Sequence, residues 1–325
     1  MQPWVASHLG HGPPAPRRPF ATSEGRGRAQ VRLTAACLDC GAVHFEKWQA
    51  LGNDYVIVES QQLDFELTPA RIRAICAGHT GVFADGILLL SAPDERGFVA
   101  RLRIFNPDGS EAELSGNGAR EAVLYLRRNG WTDADTFSIQ TAAGEIRPQI
   151  TSDTQCTIDM GRARRASRDY PTGPPDGTGE LQAAGRTWSF QHVQVGNPQC
   201  AIRVGSQAEL DALDLPAIGP DIERHELFPQ RTNVSWFTEL APGRIRARIF
   251  ERGVGETSAS GTGATGAAVA YVLGGGDSPV IVCLDGGELE VEVGEDFHIN
   301  LTGWALPVFR GELAAEFVKE LHAIQ

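Results

Sequence analysis

The chain has 325 residues, 42% hydrophobic and 22% charged, enough for two domains of ordinary size, each with its own core. No apolar run reaches the about 18 residues that span a bilayer, which excludes a transmembrane helix. With 29 basic and 41 acidic residues the net charge is −12, which opposes nucleic-acid binding and fits a cytoplasmic enzyme acting on a small molecule.

Residues 1–43 carry Gly12-Pro-Pro-Ala-Pro16, five arginines and only two acids, Glu24 and Asp39, without the apolar region of a secretory signal. They are expected to form a disordered tail. Cys37 and Cys40 make a lone CxxC, which cannot complete a four-coordinate zinc site, and the other cysteines (76, 156, 200 and 283) follow no disulfide spacing. No metal is expected. A strand is predicted at 54–59, a helix at 68–77 introduced by Thr68-Pro69, and a strand at 86–91. An alternating segment ends in Arg103-Ile-Phe105, and after a polar loop Ser115-Gly-Asn-Gly-Ala119 opens an apolar helix over 119–128, with Ser115 as its N-cap. Thr172-Gly-Pro-Pro-Asp-Gly-Thr178 reads as a loop near the changeover between halves. Strands are predicted at 188–195, 232–237, 279–284 and 288–293. A second helix, over 264–273, begins after Ser260 and stops at Gly274-Gly-Gly276.

An internal repeat organises these elements. At an offset of 145, Arg101–Ala119 lies on Arg246–Ala264 with nine ungapped identities in nineteen positions, among them Arg103/Arg248, Glu111/Glu256, Ser115/Ser260 and Gly118/Gly263. The predicted fold class is α+β, with two pseudo-symmetric domains, each a curved sheet wrapped around a central helix. A helix N-terminus is an anion site, and two of them could face one carboxylate, with glycines at 116, 118, 261 and 263 admitting close backbone approach. The blander reading, that these glycines only pack helices on sheets, stays open. Proton transfer at an amino-acid α-carbon needs an acceptor on one face and a donor on the other, and Ser115 and Ser260 occupy the two helix starts.

Six ordered segments resemble the diaminopimelate epimerase family: Phe45-Glu-Lys-Trp-Gln-Ala-Leu-Gly-Asn-Asp-Tyr55, Phe105-Asn-Pro-Asp-Gly-Ser-Glu111, Ser115-Gly-Asn-Gly-Ala-Arg120, Val195-Gly-Asn-Pro198, Arg231-Thr-Asn-Val234 and Glu251-Arg-Gly-Val-Gly-Glu-Thr257. The resemblance implies a first domain over 44–160, completed by about 306–325, and a second over 161–305. It implies an isomerase without metal or pyridoxal phosphate that epimerises LL-diaminopimelate to the meso form in lysine and peptidoglycan biosynthesis. It further implies that Asn53, Asn106, Asn197, Asn233 and Arg252 hold the substrate, chiefly its distal end. Gly116, Asn117, Gly261 and Thr262 would bind the reacting α-carboxylate, and Glu251 is an acid near the reacting centre. The expected partner is a small amino acid, with no nucleic acid or membrane, and a homodimer is allowed.

The match departs from the family at the chemistry. The family has cysteine where this chain has Ser115 and Ser260, and histidine where it has Gln199. A thiol titrates near pKa 8.5 and an unactivated alcohol nearer bulk water at about 15.7. The gap of roughly 7 units is about 10 kcal/mol, whereas a helix terminus contributes about 0.3–1 kcal/mol, or about 2 when partly buried. Three readings therefore stay open: an epimerase working through serines, with water or Glu251 relaying protons; an isomerase of a related small substrate on the same fold; and a non-catalytic ligand-binding relative.

Two other classes fit poorly. Gly261-Thr-Gly-Ala-Thr-Gly266 is a formal dinucleotide motif with Asp285 downstream, but ten residues separate it from Phe250, the end of its strand. Neither serine sits in the GxSxG of a serine hydrolase, and no histidine has a place in the repeat.

Overall fold

The computed structural model describes residues 42–324. The expected tail, its CxxC pair, His8 and His11 lie outside the described residues, except that the first strand already begins at Val43. An eight-stranded sheet runs in the order Leu306–Leu313, Val43–Ala50, Asn53–Glu59, Ile87–Ser91, Ala100–Phe105, Ile139–Thr141, Gly144–Ile146, with Glu111–Ala112 paired onto Ala100–Phe105. An eleven-stranded sheet runs Thr178–Ala183, Arg186–Val195, Asn197–Arg203, Asn233–Ala241, Arg244–Glu251, Val280–Leu284, Gly287–Val293, His298–Trp304, Gln155–Arg162, Pro148–Ser152, with Gly255–Thr257 paired onto Arg244–Glu251. The strands Pro148–Ser152 and Gln155–Arg162 belong to the second sheet, where Gln155–Arg162 pairs antiparallel with His298–Trp304.

The repeat is structural as well as sequential. Six successive strands of each sheet alternate antiparallel, parallel, antiparallel, parallel and antiparallel pairing in the same order. Register is preserved too: Ile104 faces Ala112 and Phe105 faces Glu111, as Ile249 faces Thr257 and Phe250 faces Glu256. The same ion pair braces both copies, with Arg103 on Glu111 at 2.7 and 2.9 Å and Arg248 on Glu256 at 2.6 and 3.0 Å.

Among the described residues, six α-helices complete the fold: α1 (Pro69–Cys76), α2 (Gly116–Arg128), α3 (Gln207–Asp211), α4 (Leu215–Glu223), α5 (Gly261–Leu273) and α6 (Ala315–Ala323). The central helices α2 and α5 begin three residues earlier than predicted, directly after their serine caps. The Ser115 Oγ accepts from the Gly118 N–H at 3.1 Å and the Ser260 Oγ from the Gly263 N–H at 3.2 Å, which satisfies one orphan donor in each first turn. Helix α5 is apolar on every side and buried from Gly263 to Tyr271, as a helix enclosed by a sheet must be. One core of buried residues runs from Trp48 and Leu102 through α2 and α5 to Ile249 and Leu301. Two smaller cores lie under α1 and α6 and under α3 and α4. No described helix is long and apolar enough to cross a membrane.

Candidate active site

The two central helices start at one place. A β-carbon built on Gly116 would stand 3.4 Å from the Gly261 Cα, and one built on Gly261 would stand 3.5 Å from the Gly116 Cα. The other two glycines of the motifs do what the blander reading expects. A β-carbon on Gly118 would meet Leu88 at 3.0 Å and one on Gly263 would meet Ile249 at 2.7 Å, so these glycines let helix lie against sheet. The opposed N-termini bring two sets of unpaired N–H groups and two positive dipole ends to one locus, the electrostatics of a carboxylate site.

Above this junction lies a cleft of about 810 Å³. Asn53, Asn106, Ser115, Gly116 and Asn117 line it from the first half, and Asn197, Glu251, Arg252, Ser260, Gly261 and Thr262 from the second. Asn233 does not line it. It is buried beneath the adjoining turn, where its Oδ1 accepts from the Arg252 backbone N–H at 2.8 Å and its Nδ2 donates to the Pro198 carbonyl at 3.2 Å. The same turn is held by the buried Glu223, whose Oε1 accepts from the Gly253 N–H at 3.0 Å. Asn233 therefore shapes the wall that carries Glu251 and Arg252.

Hydrogen bonds fix the amides on the other wall. Arg120, a pure donor, bonds the Asn117 Oδ1, so the Asn117 Nδ2 turns to the Asn53 Oδ1 at 3.3 Å. The Asn53 Nδ2 then faces Asp85, a pure acceptor, at 2.9 Å. Across the cleft, the Gln199 Nε2 donates to the Asn197 Oδ1 at 2.6 Å. The Asn106 Nδ2 is engaged by the Ser110 Oγ at 2.9 Å within its own turn, and the Arg252 Nη1 reaches the Gln230 carbonyl at 3.0 Å.

Charge beneath the cleft is also arranged. The Arg120 guanidinium is fully buried, with Nε and Nη1 lacking hydrogen-bond partners among the described residues and Nη1 3.9 Å from the β-carbon position of either junction glycine. Burial lowers its pKa to about 10, so it remains a cation at neutral pH behind both helix termini. Glu251 accepts from the Thr257 hydroxyl at 2.9 Å, and desolvation raises its carboxyl above the usual range, with the Thr257 and Ser260 hydroxyls holding it partly down. The fully buried Glu121 is pushed further up by desolvation, held down only in part by Arg120 and the Tyr55 backbone, and no side chain among the described residues hydrogen-bonds its oxygens. Among the described residues, no group of three or more His, Cys, Asp or Glu side chains is placed to hold a metal ion.

Three contributors to this site are absent from the sequence expectations: Tyr55, Asp85 and Arg120. Tyr55 had a signal, because it stands two residues beyond Asn53 in a strand and so shares its face. Arg120 and Asp85 had none, since a charge on a buried helix or in a loop does not announce where it points.

The family model described as diaminopimelate epimerase matches residues 45–166 and 191–306. The chain belongs to the diaminopimelate epimerase family. Its reaction class is therefore epimerisation of an amino acid, an isomerase activity. A diaminopimelate epimerase of Synechococcus sp. (strain JA-2-3B'a(2-13)) is 40% identical over 279 residues, covering 83% of this chain and 98% of the relative. The chloroplastic diaminopimelate epimerase of Oryza sativa subsp. japonica is 38% identical over 284 residues, covering 83% of this chain and 80% of its own. Among solved structures, a hydroxyproline epimerase from Agrobacterium vitis with bound trans-4-hydroxy-L-proline shares the fold with a TM-score of 0.60 at 14% identity, over 85% of this chain and 93% of that one. A phenazine biosynthesis protein of the PhzF family from Bacillus anthracis aligns with a TM-score of 0.59 at 16% identity, over 84% and 99%. At such identities these structures bear on the fold alone.

Proposed function

We infer that the protein is a cofactor-independent diaminopimelate epimerase, converting LL-diaminopimelate to the meso form for lysine and peptidoglycan biosynthesis. The reacting α-carboxylate sits on the paired starts of α2 and α5, with the α-carbon between Ser115 and Ser260. One serine side removes the α-proton and the other returns a proton to the opposite face, while the helix termini and the Arg120 charge stabilise the enolate-like intermediate. Glu251, beside Ser260, accepts the proton that serine alone holds too tightly. Asn53, Asn106, Asn197 and Arg252 hold the distal end of the substrate, and Asn117 and Thr262 complete the carboxylate site.

The observation that carries this reading is the meeting of two serine-capped helix starts, one from each sheet, at Gly116 and Gly261 beside one cleft. We assign residues 43–147 with 306–324 to one domain and 148–305 to the other, the substrate lying between them. We place the enzyme in the cytoplasm, without nucleic-acid or membrane partners. A homodimer accords with the edge strand Leu306–Leu313, where Val308 and Phe309 are exposed.

The test incubates the protein with LL-diaminopimelate in heavy water and follows deuterium at the α-carbon. Incorporation that vanishes in Ser115→Ala and in Ser260→Ala is the expected result. Binding of the ligand with no incorporation favours the second reading, a non-catalytic relative, which the two serines themselves recommend. Incorporation with a different small substrate only would place the protein beside the diaminopimelate enzymes as an isomerase of its own.

A further inference from the structure

Ser115 and Ser260 are equivalent in the repeat but not in their surroundings. Strand register aligns Ile87 with Val234, because they face the equivalent residues Phe105 and Phe250. Ile87 and Val234 in turn face Val56 and Cys200, so Tyr55 and Gln199 occupy equivalent positions. In the second half, Gln199 turns away to Asn197, and Ser260 lies against the Glu251 carboxylate. In the first half, the Tyr55 phenol donates to the Ser115 Oγ at 3.3 Å, beside the Gly118 N–H at 3.1 Å. One serine adjoins a negative acceptor, whereas the other receives two donors.

We propose that Tyr55 is a positioning residue for proton transfer: its phenol O–H and the Gly118 N–H together cradle the negative charge that forms on the Ser115 Oγ. When Ser115 protonates the α-carbon, its O–H bond breaks, a C–H bond forms, and the electron pair stays on Oγ. The Glu251–Ser260 side holds the proton taken from the opposite face. Both sides return to their starting protonation by exchange with water after product leaves. In the reverse direction the same two donors favour the form of Ser115 that accepts the α-proton. Burial raises the Tyr55 phenol above its ordinary value, so it stays protonated and available as a donor throughout the neutral range. The cradle compensates in part for serine standing where the family has cysteine. This role rests on the reading of Ser115 as a group that exchanges the α-proton.

Tyr55→Phe removes one oxygen and keeps the ring that packs in the core, so the variant is expected to fold, and a thermal melt checks this. A hydrogen bond to a charged group implies a loss of roughly 10- to 100-fold in the rate of α-deuteration, with KM little changed. In a Ser115→Cys background the same change has a much smaller effect, because a thiolate needs less help than an alkoxide. No loss with serine, or the same fold loss in both backgrounds, overturns the proposal, the latter because it reports packing alone. A second measurement needs no turnover: the pH midpoint for alkylation by iodoacetamide at position 115 of the Ser115→Cys protein, followed by mass. Adding Tyr55→Phe is expected to raise that midpoint by about half a pH unit. An unmoved midpoint overturns the cradle. Absent exchange in every variant with a shifted midpoint defeats the epimerase reading and leaves the cradle standing. Robust exchange that ignores Tyr55→Phe does the reverse.

Discussion

Gly116 and Gly261 face each other across the helix junction: a β-carbon on Gly116 would stand in ordinary contact with the Gly261 Cα at 3.4 Å, whereas one on Gly261 would meet the Leu301 Cδ2 at a tight 3.1 Å. The contact joins the two halves at the point where both helix dipoles end, and it leaves the first-turn N–H groups facing the cleft. We propose that glycine at 116 serves the ligand, whereas glycine at 263 serves packing against Ile249.

These roles separate in mutants. Gly263→Ala drives a methyl group into Ile249 and should cost about 1–3 kcal/mol in denaturant unfolding. Gly116→Ala, at the looser 3.4 Å contact, should change stability by less than about 1 kcal/mol yet weaken ligand binding about tenfold or more. Equal effects of the two changes on affinity would contradict the assignment.

Asn233→Ala leaves the Arg252 backbone N–H without its acceptor and the Pro198 carbonyl without its donor. Unsatisfied buried polar groups imply a loss of about 1–3 kcal/mol in unfolding free energy, with affinity falling in parallel as the turn loosens. If affinity falls while stability stays at the wild-type value, Asn233 touches the substrate after all.

Glu121 makes stability depend on pH in a particular sense. Its folded pKa lies well above the ordinary 4.5, so between those values the native protein keeps a proton that the unfolded chain has lost. Stability is therefore retained below 4.5 and falls as pH rises through the window. Glu121→Gln removes this term, and its stability relative to wild type should improve steadily as pH rises. Urea melts across the range check it, and parallel curves for the two proteins would refute it.

The Glu251 carboxyl is likewise raised, chiefly by desolvation. If its carboxylate form accepts the α-proton, exchange should rise with pH on a limb centred above 4.5. Glu251→Gln should lower the rate roughly 100-fold or more and abolish the limb. A pH–rate profile whose acid limb persists unchanged in that variant would assign it to another group.

Much of the fold was legible because duplication repeats the local grammar: a strand ending in Arg-Ile-Phe, a glycine loop, and a serine-capped helix. Eight strands and three helices predicted from pattern and caps occur within a few residues of their expected places. Helices α3 and α4 were missed although Ser206 and Asp214 cap them, bonding the Glu209 and Ala217 N–H groups. The strands Pro148–Ser152 and Gln155–Arg162 were not predicted, and alternation would in any case not tell which sheet they join. At the site, residue type told that amides and glycines matter without telling their direction. Asn233 and Asn197 follow similar motifs, yet one points beneath the turn and the other into the cleft. The asymmetry between Tyr55 and Gln199 emerged only from strand register, which no single segment encodes.

The central claim is that Ser115 and Ser260 flank one reacting α-carbon. The most direct measurement compares α-deuteration of LL-diaminopimelate by the wild-type protein and by Ser115→Cys with Ser260→Cys. Thiols ionise several pKa units below alcohols, so the double variant is predicted to exchange at least about 100-fold faster. An unchanged or lower rate, in a protein that folds and binds the ligand as before, would contradict the placement of both residues at the reacting carbon.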